Sequence, residues 1–333
     1  MSAVSKIIGH DNVRQRLWAA LGQGRVHHAY LFEGPKGLGK ATFAVQFAMA
    51  ANCDEQDVPC GVCEPCTQIR AESHPDVWVV RPSASSSTQT ISVDQIREVV
   101  RKVGYHRFSA RRRMVIIDPA EAMTPTAANA LLKTLEEPPE GTGFVLVTHQ
   151  ADALLPTIRS RCQRIRFGPV PSHSLTQWLQ DKQVEDAARI AAFSAGCPGR
   201  ALSLSEGEWR SRVLLRDGFI AMCSSDTARL FEWSKKLCSG SRQQWEPKVL
   251  LILEIAEELL ADVCKLSVGQ SDNLLHFDCD ETLQRWSAIG WPTSVSRCSD
   301  AVQDARKDLA RNVPGRLALE ALGSQFQASF KRV

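Results

Sequence analysis

The chain has 333 residues, 44% of them hydrophobic and 23% charged, with a formal net charge of +3. That length predicts two or three domains, and the composition excludes a disordered or fibrous chain. So small a net charge neither demands nor excludes a nucleic-acid partner. The opening residues MSAVSKIIGHDNVRQRL lack a signal-peptide core, because Asp11 and Arg14 interrupt the apolar run. The most apolar stretch, Val249 to Leu266, contains Glu254, Glu257, Glu258 and Asp262 and reads as an amphipathic helix. A cytoplasmic protein with no membrane partner is expected.

HHAYLFEGPKGLGKATFAVQFAMAA reads as strand, Gly-rich turn and helix, with Ala29 to Phe32 as the strand. Four of the eleven cysteines, Cys53, Cys60, Cys63 and Cys66, follow it as an insertion. VWVV (Val77 to Val80) is a buried strand, and SASSSTQT (Ser83 to Thr90) is a polar loop. The next helix has Ser92 as N-cap, Gln95 at the capping-box position and an apolar stripe of Ile96, Val99, Val100 and Val103. MVIID (Met114 to Asp118) is a central strand. A helix capped by Thr124 and opened by Pro125 then runs to Pro138 and Pro139, followed by the strand FVLVTHQ (Phe144 to Gln150). This alternation predicts a parallel sheet covered on both faces. Beyond FGPVP (Phe167 to Pro171) only helical periodicity recurs. The domain expectation is α/β over 1–169, a small helical domain over 170–207 and a larger helical one over 208–333.

The loop Gly34 to Lys40 has the glycines Gly34, Gly37 and Gly39 and the lysine of a phosphate-binding loop. Ala41 stands where that pattern places the Ser or Thr that ligates Mg²⁺. Thr42 is a poor substitute, since one helical step turns a side chain by about 100°. Asp118, ending its strand, fits the second Mg²⁺ partner of such a loop. The spacing Cys53-x6-Cys60-x2-Cys63-x2-Cys66 offers four thiolates to one tetrahedral ion and suits structural Zn²⁺. A ferredoxin-type iron–sulfur run also begins C-x2-C-x2-C, but its C-x3-C-P continuation is absent.

HAYLFEGPKGLGK, the cysteine cluster, NALLKTLEEPP (Asn129 to Pro139) and TIRSRC (Thr157 to Cys162) together closely resemble bacterial clamp-loader subunits of the AAA+ class. The likeness is strong over 1–205 and weaker beyond, where NVPGRLALEAL (Asn312 to Leu322) resembles the family's last helix. It implies an α/β P-loop (AAA+) domain, a small helical lid domain and an all-α collar domain. It also implies a heteropentamer with gamma/tau and delta subunits, which opens a ring-shaped sliding clamp and closes it around primed DNA. Against hydrolysing members, Pro119 replaces the water-activating Glu. Gly199, in GCPGRALS, stands at the phosphate-sensing Arg, with Arg200 one position off. With Ala41 these are three losses in one site. They point to a non-hydrolysing subunit that is no enzyme by itself. Retained Lys40 and Asp118 leave nucleotide binding open; Thr148 stands where hydrolysing relatives keep a polar phosphate sensor, a position with no assigned role once the site is lost.

In this family the SRC arginine serves the ATP of a neighbouring subunit. Carried over, Arg161 is the arginine finger, flanked by Ser160 and Cys162, while Arg159 and Arg164 are solvated or salt-bridged neighbours. The basic residues Arg97, Arg101, Lys102, Arg107, Arg111, Arg112 and Arg113 either touch DNA phosphates or decorate a solvated face. Two rival readings stand beside this one. The first is an ATP-hydrolysing clamp-loader subunit with a divergent site. The second is a zinc-dependent DNA-binding module, which leaves NALLKTLEEPP and SRC unexplained.

Overall fold

The computed structural model describes residues 7–83, 90–271, 274–290 and 292–330. The polar stretch 84–89, read above as part of a loop, lies outside the described residues. The chain divides into two compact units, residues 1–202 and 203–333.

In the first unit, β1 (Ala29–Glu33), β2 (Val77–Val80), β3 (Arg113–Ile117), β4 (Thr142–Thr148) and β5 (Gln163–Arg166) form a wholly parallel sheet. Its strand order is β2-β3-β4-β1-β5. A parallel sheet must be covered on both faces, and the alternation of side chains decides what goes where. Tyr30, Phe32, Met114, Ile116, Val145 and Val147 point to one face. There they meet α1 (Asp11–Gly22), α2 (Lys40–Asn52) and α3 (Glu64–Arg70). Ala29, Leu31, Val115, Ile117, Phe144 and Leu146 point to the other, against α4 (Val93–Val103) and α5 (Pro125–Glu136). The capping box forms as expected: Ser92 Oγ accepts the Gln95 N–H at 3.3 Å, and Gln95 Oε1 accepts the Ser92 N–H at 3.0 Å.

Three strands differ from the sequence reading. β3 begins at Arg113 and ends at Ile117, so Asp118 lies just past it. β4 stops at Thr148, whose Oγ1 accepts the Gln150 N–H at 3.0 Å and turns the chain. β5 was not foreseen. It is an edge strand in which Ile165 alone is buried, so it offers no apolar run to read. Short helices α6 (Pro156–Arg159), α7 (Ser172–Asp181), α8 (Ala187–Phe193) and α9 (Pro198–Ser203) flank and follow it.

The second unit is helical: α10 (Trp209–Ser224), α11 (Thr227–Leu237), α12 (Arg242–Ser267), α13 (Asp280–Gly290), α14 (Thr293–Ala310) and α15 (Gly315–Phe330). Its core forms around α12, through Val249, Ile252, Leu253, Ala256, Leu259 and Val263. Asp262 departs from the simple amphipathic picture, being fully buried rather than on a wet face. It accepts hydrogen bonds from Lys265 at 2.9 Å and from the His276 N–H at 2.8 Å, as a buried carboxylate requires. Among the described residues no helix is long and apolar enough to cross a membrane.

Candidate functional site

Ligands of open parallel sheets bind where strands end at their carboxyl edge. Here that edge opens into a cleft of about 1040 Å³, lined by Lys40, Arg81, Asp118, Thr148, Trp178 and Gly199 among others. β1 delivers the loop Gly34–Gly39 and α2 begins at Lys40. Gly34 has φ 147°, and a Cβ there would run into the Phe167 carbonyl oxygen, so only glycine fits. The structure therefore brings together Gly34, Gly37, Gly39, Lys40 and Asp118, as the motif required.

What the cleft does with these groups is less expected. Lys40 is 6% exposed, and its Nζ donates to the carbonyl oxygens of Gly34 at 2.7 Å and Pro35 at 2.6 Å. Burial lowers its pKa, against the pull of the Glu121 and Asp118 carboxylates. Burial likewise raises the Asp118 pKa, against Arg81 and Lys40. Gly199 is not merely an absent arginine. Its N–H donates to the Gly37 carbonyl at 2.8 Å, and a Cβ on it would lie 3.0 Å from the Gly37 Cα. The start of α9 thus packs directly on the loop. Glu121 was missed by sequence reasoning. It accepts the His149 N–H at 3.0 Å through Oε1, faces His149 Nδ1 with the same oxygen, and keeps Oε2 buried without a partner.

Arg161 follows α6, away from this cleft's lining. Its Nη1 donates to the Thr157 carbonyl at 2.8 Å and to Ser160 Oγ at 3.4 Å, and its Nη2 to Glu136 Oε1. Ser160 thus touches the guanidinium directly. Cys162 is buried, its thiol pushed up to about 12 by that burial, and anchors the turn instead. Arg159 pairs with Asp152 at 2.6 Å. Arg164 and Arg166 clip β5 to Glu33 at 2.6 and 2.8 Å. Burial raises the Glu33 pKa, but the two guanidinium groups outweigh it and hold the carboxyl below its usual value. Glu136 belongs to NALLKTLEEPP, a segment that served the sequence reading only as a signature. Its partner could not be found from spacing, since 25 residues separate the two.

The sulfurs of Cys53, Cys60, Cys63 and Cys66 all lie within 4.8 Å of one another. Four thiolates around a tetrahedral ion with bonds of about 2.3 Å stand roughly 3.8 Å apart, so a small contraction would close the site. The Val62 and Cys63 N–H groups point at Cys60 Sγ at 3.4 and 3.3 Å and pull its pKa down to about 7. The Cys60 N–H points at Cys53 Sγ at 3.4 Å. Thiolate-directed N–H groups and an all-sulfur donor set fit a closed metal site. Arg111 braces the cluster by donating to the Cys53 carbonyl at 2.7 Å.

Part of the basic segment is engaged within the chain, in surface ion pairs and one buried one. Arg97 pairs with Asp94 at 3.6 Å and Lys102 with Glu98 at 2.7 Å. Arg113 is 2% exposed, so it is not available to a phosphate. It lies 3.7 Å from Asp76 Oδ1, while Asp76 Oδ2 accepts the N–H groups of Phe108, Ser109 and Ala110 at 2.8, 2.8 and 3.0 Å. This buried pair holds the loop between α4 and β3.

A family model described as DNA polymerase III, delta subunit, matches residues 9–171. The DNA polymerase III subunit delta' of Bacillus subtilis (strain 168) is 30% identical over 314 residues, 90% of this chain and 91% of that one. The subunit delta' of Pseudomonas aeruginosa PAO1 is 39% identical over 214 residues, 62% of this chain and 64% of its own length. A DNA polymerase III subunit gamma/tau of Mycobacterium bovis is 36% identical over 203 residues, 59% of this chain but 35% of its own. The match thus spans less than two thirds of the Pseudomonas and Mycobacterium relatives and nearly all of the Bacillus one. With a P-loop on a parallel sheet, a helical second unit and a near full-length relative in hand, the chain belongs to the DNA polymerase III delta' subunit family of clamp-loader proteins.

Proposed function

We propose that this chain is a non-hydrolysing clamp-loader subunit that works on a neighbour's nucleotide. The observation that carries the reading is the state of its own cleft. Position 41 has no hydroxyl, position 119 no carboxylate and position 199 no guanidinium, while Lys40 is turned onto its own loop carbonyls. An attacking water would find an incomplete Mg²⁺ ligand set, with Asp118 but no hydroxyl at position 41, and no Glu at position 119 to activate it. The chain is then no enzyme alone, while the retained Lys40 and Asp118 leave nucleotide binding to it open. Arg161 is its contribution to catalysis: an arginine finger given in trans, stabilising charge on the transferring phosphoryl group.

In this reading the α/β domain covers 1–169, a helical lid 170–207 and a collar 208–333. The collar joins gamma/tau and delta subunits in a heteropentamer that loads a sliding clamp on primed DNA in the cytoplasm. The four cysteines hold one structural Zn²⁺, which would cross-link the insertion between α2 and α3. Metal analysis of the purified chain should return about one zinc per chain; visible absorbance with iron would overturn that assignment.

The deciding experiment is reconstitution with gamma/tau and delta subunits, comparing wild type with Arg161→Ala. Clamp- and DNA-stimulated ATP turnover should fall sharply, and unchanged turnover would refute the finger. The matching gamma/tau relative keeps the rival in view. Mg²⁺-dependent turnover by the isolated chain would favour a divergent ATPase.

A further inference from the structure

We propose that Glu136 parks Arg161: its carboxylate is an intramolecular counter-ion that the guanidinium exchanges for the neighbour's phosphate oxygens. This rests on the reading of Arg161 as a finger supplied in trans, and it adds a positioning residue to it.

Three observations support the exchange. First, Nη2 of Arg161 is paired with Glu136 and Nη1 with the Thr157 carbonyl, so two of its three nitrogens are turned inward onto the chain. The third, Nε, is buried without a partner, so the parked geometry leaves one donor unsatisfied. Second, the pair is accessible. The Arg161 side chain is 31% exposed and that of Glu136 46%, which makes an ion pair that a stronger anion can displace. Third, Glu136 is the last residue of α5. An acid there faces the negative end of the helix dipole, an unfavourable place that an external cation must offset.

The electrostatics then set the direction of the effect. A carboxylate left beside the finger would cancel part of its charge and repel the phosphoryl oxygens as they gain negative charge. The engaged finger must therefore leave Glu136. Parking favours the disengaged state, and clamp and DNA, by aligning the neighbour's site, tip the exchange.

The test uses the reconstituted complex, ATP, and turnover measured with and without clamp and primed DNA. Glu136→Gln keeps the shape and removes the charge at an exposed position. It should raise unstimulated turnover, so that the ratio of stimulated to unstimulated rates falls about two- to five-fold, the range of an exposed ion pair. An unchanged ratio, or both rates falling together, would overturn parking. Arg161→Ala measured alongside separates the two claims. If it leaves stimulated turnover intact, the finger reading itself fails. If it abolishes that turnover while E136Q leaves the ratio unmoved, parking alone fails. The double variant should match Arg161→Ala, and any further change would mean that Glu136 acts elsewhere.

Discussion

The cleft beside β1 and the turn after α6 each hold a cation suited to phosphate, and they treat it in opposite ways. In the cleft, Lys40 is buried and satisfied by the Gly34 and Pro35 carbonyls, and the start of α9 packs on the loop through Gly199. At the turn, Arg161 is partly exposed and held by one surface carboxylate, one carbonyl and, more loosely, the Ser160 hydroxyl. A buried cation already hydrogen-bonded has less to gain from a ligand, whereas a partly exposed ion pair gives its partner up cheaply. Shape alone would favour the cleft; the hydrogen bonds are what support the proposal that the turn is the working site.

The sharpest way to break this contrast is to remove each cation in the same reconstituted complex. Arg161→Ala should cost on the order of 10³ in turnover at the site it serves. Lys40→Ala should leave that turnover in place. Equal losses, measured as ATP hydrolysis, would erase the distinction. Next in size is the buried pair that shapes the loop before β3. Asp76→Ala leaves Arg113 uncompensated and should destabilise the chain by about 3–5 kcal/mol in urea unfolding.

Asp76 also carries a pH signature. Burial raises its pKa, but the three N–H donors and Arg113 outweigh that and hold its carboxyl below the usual value. Its stabilisation is complete above the unfolded-state pKa of about 3.9 and is lost as the pH falls through the lower folded-state value. The gap between wild type and D76A should accordingly shrink towards acid, and a widening gap would contradict the assignment. A smaller effect is expected at Gly199→Ala, where the new Cβ would press on Gly37 from 3.0 Å. Overpacking of that kind costs about 1–3 kcal/mol, readable as a lower unfolding midpoint. No loss there would mean that α9 does not brace the loop. The smallest shift is the change in stimulation ratio for E136Q.

Much of this was legible from residues alone, for identifiable reasons. The central strands are continuous apolar runs, and Ser92 with Gln95 announces a helix start through purely local chemistry. The four cysteines lie within fourteen residues, close enough for spacing to imply their meeting. Legibility ended where distant segments converge on polar groups. β5 has one buried residue and is held by Glu33, 131 positions from Arg164. Asp76 draws no attention in the sequence, because the three N–H groups it accepts lie at 108–110, more than thirty positions away. Ala41, Pro119 and Gly199 could each be read as a loss. Only the packing shows that Gly199 is also a gain, since it seats the start of α9.

The close fit at Gly34 has a consequence for how such chains are recognised. Any side chain there would strike the Phe167 carbonyl, whether or not a nucleotide ever arrives. The fold itself therefore keeps this glycine in place, independently of any selection for ATP. A descendant that had long ceased to touch nucleotide would still display this part of the signature, so this glycine by itself says nothing about ATP.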